Sequence, residues 1–202
     1  MNSHLLYKRY SDVLVDELKA ILEGDNDFLY SMMRYQMGFE DYSNVRRIDL
    51  NSNHITPIIC LLTCELLAGD YRSAISAAVA LELIHQFMVA HNDVFSGSTL
   101  EESEKSVNKK WGFGQAINVG DGFHALGRSS LFRLVENKIS IGDTIVALRL
   151  LDEACIEMCE GQYLDLAARG KFDITKAAYL KVAEFKSGSI MGCSMGLGAI
   201  SA

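Results

Sequence analysis

A single proline, Pro57, in 202 residues leaves the backbone free to run as helix nearly everywhere, and the apolar residues recur three and four apart with little strand-like alternation. That combination predicts an all-α fold, a helical bundle. About half of the residues are hydrophobic, enough for one substantial core, so one domain over residues 1–202 is expected.

The first predicted helix runs from about Leu5 to Leu22, with Tyr10, Leu14, Leu18 and Ile21 on one face and Gly24 as its stop. A short one follows from Asp27. Pro57 opens a helix where a missing N–H costs nothing, and Gly69-Asp70 ends it and caps the next, Tyr71 to about His91. Both are apolar nearly all round and belong at the centre of a bundle. Phe95 to Lys110, rich in Ser, Glu and Lys, predicts a mobile loop. Beyond it, Gln115–Leu134 and Asp143–Ala168 read as long helices, and Asp173 as the cap of a last one interrupted near Gly188. The uncharged tail Gly188–Ala202 needs cover, from its own core or from another subunit.

A net charge of −7 and a pI near 5.2 argue against a nucleic-acid or anionic-membrane partner, both of which call for a basic face. Lys8, Arg9 and Asp12 interrupt the first sixteen residues, which therefore lack the apolar run of a signal peptide, and a cytoplasmic protein is expected. The most apolar stretches, Ile55–Ala68 and Ala74–Ala90, are broken by Glu65, Glu82 and His85 and read as buried helices, so no transmembrane segment is expected. Cys60/Cys64 and Cys155/Cys159 are i,i+4 pairs in apolar patterns, which favours core packing over a four-thiolate metal site.

Several strings share more than helical period. Leu81-Glu82-Leu83-Ile84-His85 leads to His91-Asn92-Asp93; Trp111 to Gly122 ends in Gly120-Asp121-Gly122; Cys159-Glu160-Gly161-Gln162-Tyr163-Leu164-Asp165-Leu166 carries Gly-Gln-x-x-Asp; and Lys186-Ser187 follows. In order and spacing these resemble the trans-prenyl diphosphate synthase (polyprenyl synthetase) family. The resemblance implies a helical bundle of the isoprenoid synthase type, shortened at the C-terminus, because the helix with the family's second aspartate-rich motif has no counterpart in these residues.

The family ionises an allylic diphosphate and adds the carbocation to isopentenyl diphosphate. Carboxylates at i, i+1 and i+4 of one helix hold the Mg²⁺ that neutralises the leaving diphosphate. Here those positions read Asn92, Asp93 and Ser96, which leaves Asp93 as the candidate metal ligand. The near pattern of terpene cyclases fails too, since its Glu position is Leu100 and Glu101 falls one residue late. Glu101 and Glu102 stand where the family has an Arg-Arg clamp, and its Gly-Gly-Lys-Arg segment falls on Asn51, Ser52, Asn53 and His54, with Thr56 at the following Arg. The residual family positions are His85, Asp93, Gln162, Asp165 and Lys186; in their plain reading His85 is a hydrogen-bonded core histidine, and Gln162, Asp165 and Lys186 form a completed or solvated polar network.

The resemblance therefore implies an isoprenoid-biosynthesis protein with no catalytic residues of its own, inactive alone: the small or regulatory subunit of a heteromeric prenyl diphosphate synthase. Its partner is an active synthase subunit or a second copy, a prenyl chain is a candidate ligand, and no cofactor is expected alone, Mg²⁺ entering with a partner or a residual diphosphate site. Contacts are expected through Gln115–Leu134, whose small residues permit close approach, and through Ile145, Leu148, Leu151 and Cys155. The alternative is a prenyl-diphosphate-using enzyme of altered chemistry, a terpene cyclase or prenyltransferase.

Overall fold

In the computed structural model, which describes residues 3–23, 27–39, 54–96 and 106–202, every regular element is helical. The order is α1 (Ser3–Leu22), α2 (Asp27–Gln36), α3 (Ile55–Ala68), a 3₁₀ turn (Arg72–Ala74), α4 (Ile75–Ser96), α5 (Val107–Trp111), α6 (Phe113–Phe132), α7 (Ile141–Ala168), α8 (Lys176–Ala183), a π-helical segment (Glu184–Gly188) and α9 (Ser189–Ile200). Backbone packing divides the chain into two units, Met1–Ile55 with Val79–Ser130, and Thr56–Ala78 with Leu131–Ala202.

In the first unit, α1 buries Tyr10, Leu14 and Leu18 of the expected face, with Leu22 as the fourth buried residue where Ile21 was expected and is half-buried. Arg34 on α2 donates from Nη1 to the Leu22 carbonyl at 2.7 Å, satisfying one of the acceptors a helix end leaves open. The unit's part of α4 is almost wholly interior from Val79 to Ile84. The glycines of α6 serve this packing: a Cβ at Gly127 would lie 3.2 Å from the Ala80 carbonyl oxygen and from Ile84. Gly120 and Gly122 leave room for the His91 ring and the Met33 side chain in the same way.

In the second unit, Ser140 caps α7, its Oγ accepting from Asp143 N at 3.0 Å. One side of the uncharged tail is covered by its own core, while Met191 and Met195 stay exposed. Cys193, Ser194, Leu197, Gly198 and Ser201 are buried, Ser194 donates to the Thr56 carbonyl, and Ser73 Oγ donates to the Ser201 carbonyl at 2.6 Å. Cys60, Cys64, Cys155 and Cys193 are buried thiols; burial and neighbouring cysteines push Cys60 well up and Cys193 to about 12, so both stay protonated and unreactive. Cys159 is exposed, and no group of three or more His, Cys, Asp or Glu converges on a metal position among the described residues.

The structure departs from the sequence reading at several points. Part of the expected loop is α5, with Ser106 as its cap, while residues 97–105 lie outside the described ones. The last helix is capped by Thr175, whose hydroxyl accepts from Ala178 N at 3.2 Å, and Asp173 plays no such part. The apolar span Arg72–Phe95 has 24 residues, long enough by length and composition to cross a bilayer, but 67% of its apolar window is buried in the chain, as for a core helix.

Candidate functional site

In the first unit α4 carries the residues of interest. Glu82 and Gln86, one turn apart, face inward. Glu82 Oε2 lies 2.9 Å from His54 Nδ1, and its Oε1 accepts from Gln86 Nε2 at 2.9 Å; His54 is 4% exposed and Glu82 1%. Gln36 extends the chain, its Nε2 donating to the Gln86 carbonyl at 2.8 Å. Burial pushes the Glu82 carboxyl up, but hydrogen bonds from His54 and Gln86, with the nearby charge of His54 and His85, outweigh it and hold the acid below its ordinary value. His54, at a position where the resemblance calls for a phosphate-gripping base, is thus turned inward onto an internal carboxylate. Asn51, Ser52 and Asn53, like Leu100, Glu101 and Glu102, lie outside the described residues.

His85, read from the sequence as a core histidine, is exposed. It sits on α4 a turn from Glu82, on the side that faces away from the interior. His91 is half-buried: its Nε2 lies 3.3 Å from the Ile117 carbonyl and 3.6 Å from Asp121 Oδ1, and its ring meets Phe87 edge-on at 4.7 Å. Asp93 is half-buried too. Burial pushes its carboxyl above the ordinary range, against a hydrogen bond from Ser106 that pulls it back. Its neighbour Asn92 is uncharged, and the side chain of Ser96 is outside the described residues. Mg²⁺ requires several oxygen ligands with matching negative charge. One carboxylate, partly buried and engaged by a serine, does not fit that requirement.

The second unit holds the other residual positions. Lys186 Nζ donates to Asp165 Oδ2 at 2.8 Å, with the two side chains about one-third exposed. The π-helical segment makes this pair possible by resting on Gly161, where a Cβ would lie 2.7 Å from Lys186 N and 3.0 Å from the Phe185 backbone. Gln162 does not join the pair. It is 8% exposed, and its Oε1 is buried with no hydrogen-bond partner, so the expected complete network is absent at this atom.

On α7 the four expected contact residues separate. Leu151 and Cys155 belong to the unit's own core, Leu148 is half-buried, and Ile145 is 60% exposed in line with exposed Ile141 and Ile156. The apolar residues of this helix thus occupy both an inner and an outer side. The small residues of α6 are likewise claimed by internal packing at Gly120, Gly122 and Gly127, leaving Gly114 and Ala125 exposed.

Two residues were missed. Glu82 had been read as an interruption of an apolar run and as part of a motif string, although an acid at the centre of such a run needs a partner. Gly161 was read as part of a motif, while a glycine inside a long helix signalled a close backbone neighbour.

The polyprenyl synthetase family model matches residues 44–202. The chain is 28% identical over 192 residues to a geranylgeranyl pyrophosphate synthase of Geoglobus acetivorans, covering 94% of this chain and 58% of that one. It is 26% identical over 189 residues to a geranylgeranyl diphosphate synthase of Methanosarcina mazei, covering 94% and 53%. Among solved structures it superposes on the Geoglobus acetivorans geranylgeranyl pyrophosphate synthetase with a TM-score of 0.83 at 25% identity, over 96% of this chain and 60% of that one. A polyprenyl synthetase from Streptomyces coelicolor A3(2) gives 0.88 at 23% identity, over 98% and 57%, a likeness of fold alone. The chain spans between half and three-fifths of the length of these relatives.

Proposed function

Because the chain belongs to the polyprenyl synthetase family, we propose that it is a catalytically deficient subunit that works with an active prenyl diphosphate synthase chain, its 202 residues acting as a single cytoplasmic helical domain. The observation that carries this reading is the inward pairing of His54 with Glu82. A residue at a diphosphate-gripping position is spent on an internal carboxylate. Asp93 supports the same reading from the metal side, since it offers one carboxylate where the chemistry asks for three.

Leaving-group departure in this family builds negative charge on a diphosphate. Loss of one electrostatic contact at such a transition state commonly costs about 10²–10³ in rate. With both the metal ligands and the basic residues depleted, the chain alone falls far below an enzyme's ordinary turnover, and Mg²⁺ enters with the partner. The exposed line Ile141, Ile145 and Ile156 on α7 is the face offered to it.

The test gives the purified chain Mg²⁺, an allylic diphosphate and isopentenyl diphosphate, alone and mixed with an intact family member from the same genome. The expected result is no elongated product alone, co-elution of the two chains, and a changed product length in the mixture. Turnover at an enzyme-like rate by the chain alone refutes the deficiency, and failure to co-elute refutes the subunit role.

A further inference from the structure

The charge of −7 that argues against an anionic surface for the whole chain is not evenly spread. Residues 169–181, which lead from α7 through most of α8, carry Arg169, Lys171, Lys176 and Lys181 against one acid, Asp173. Every residue of this stretch is exposed, and α8 buries no side chain at all. Phe172, Ile174, Tyr179 and Leu180 lie among them, Phe172 with its whole surface in water. On α8 the spacing i, i+3, i+4 sets Lys176, Tyr179 and Leu180 on one face.

The exposed aromatic and aliphatic groups along this stretch call for cover. We propose that this segment docks on an anionic lipid surface. A protein interface concentrates its apolar anchors and excludes lysine from their midst. Here lysines alternate with the apolar groups, which suits the headgroup boundary of a bilayer: aromatic and leucine side chains enter the acyl edge while the long stems of Lys171 and Lys176 reach back to phosphates. The nearby acids leave the patch basic. Asp173 is the one carboxylate within it, Glu184 lies beyond the end of α8, and Asp165 is paired with Lys186. Acids farther off are screened over about 8–10 Å at ordinary ionic strength. This inference does not depend on the proposed subunit role.

The experiment sediments the chain with vesicles of phosphatidylcholine, with or without a third of phosphatidylglycerol, beside the double variants Lys171→Glu/Lys176→Glu and Phe172→Ser/Leu180→Ser. Circular dichroism and melting of both variants should match the parent, because all four positions are exposed. The expected result is binding to the anionic vesicles alone, weakened about tenfold or more in each variant and released by added salt. Absence of binding, equal binding to neutral vesicles, or variants that bind like the parent overturn the proposal. So does a dimer that the Phe172→Ser/Leu180→Ser change dissociates in the absence of vesicle binding, which would place a second copy on the patch.

Discussion

Replacing Glu82 by Leu removes the acceptor of two buried hydrogen bonds, from His54 at 2.9 Å and from Gln86 at 2.9 Å, beside a histidine only 4% exposed. Breaking a buried pair from one side typically costs about 3–5 kcal/mol, because the desolvated partner is stranded. Replacing both, as His54→Leu/Glu82→Leu, removes the stranded group, and most of that loss should return. Equilibrium unfolding in urea, followed by far-UV circular dichroism, measures both. The pH dependence carries a defined sign. Glu82 is held below its ordinary value of 4.5, so the stability it contributes is present above that value and lost as pH falls through its lower folded value. The gap between the parent and Glu82→Leu should therefore be widest near neutrality and close under acid conditions. A loss below about 1 kcal/mol for the single variant, or a double variant no better than the single, refutes the pairing as the feature that organises this core.

Gly198→Ala would press a methyl group on the Cys60 carbonyl and bring it 2.9 Å from Thr63 Cβ, so α9 must shift; a loss of about 1–3 kcal/mol in thermal unfolding is expected. Ile145→Glu, at a residue 60% exposed, should lower the mass of any complex seen by light scattering while changing the subunit's stability by no more than about 0.5 kcal/mol. An unchanged mass would take the α7 face out of the contact.

The helices were legible because their signal is local. Tyr10, Leu14 and Leu18 recur with the helical period, Pro57 and Gly69 punctuate α3, and the structure follows all of them. Where contacts from distant positions decide, the sequence was silent. Helix α5 has five residues and no apolar period, yet Lys110 sits 4.2 Å from the Tyr35 ring and 4.6 Å from that of Trp111, a clasp between segments some seventy-five residues apart. The His54–Glu82 pair is invisible for the same reason: neither residue has a neighbour in sequence that announces the other. His85 misled in the opposite direction, because an apolar helix that is mostly buried still has an outer edge, and that histidine stands on it.

The π-helical segment between α8 and α9 sets the phase of one against the other. It amounts to a single residue inserted into an otherwise continuous helical rod from Lys176 to Ile200. With α9 locked by Ser194 and Gly198, deleting one residue between Glu184 and Gly188 would restore regular α-helix and swing α8 by about 100°, taking Lys176, Tyr179 and Leu180 round with it. The direction in which this chain presents that face is thus governed by the length of a five-residue stretch that itself contains none of the three.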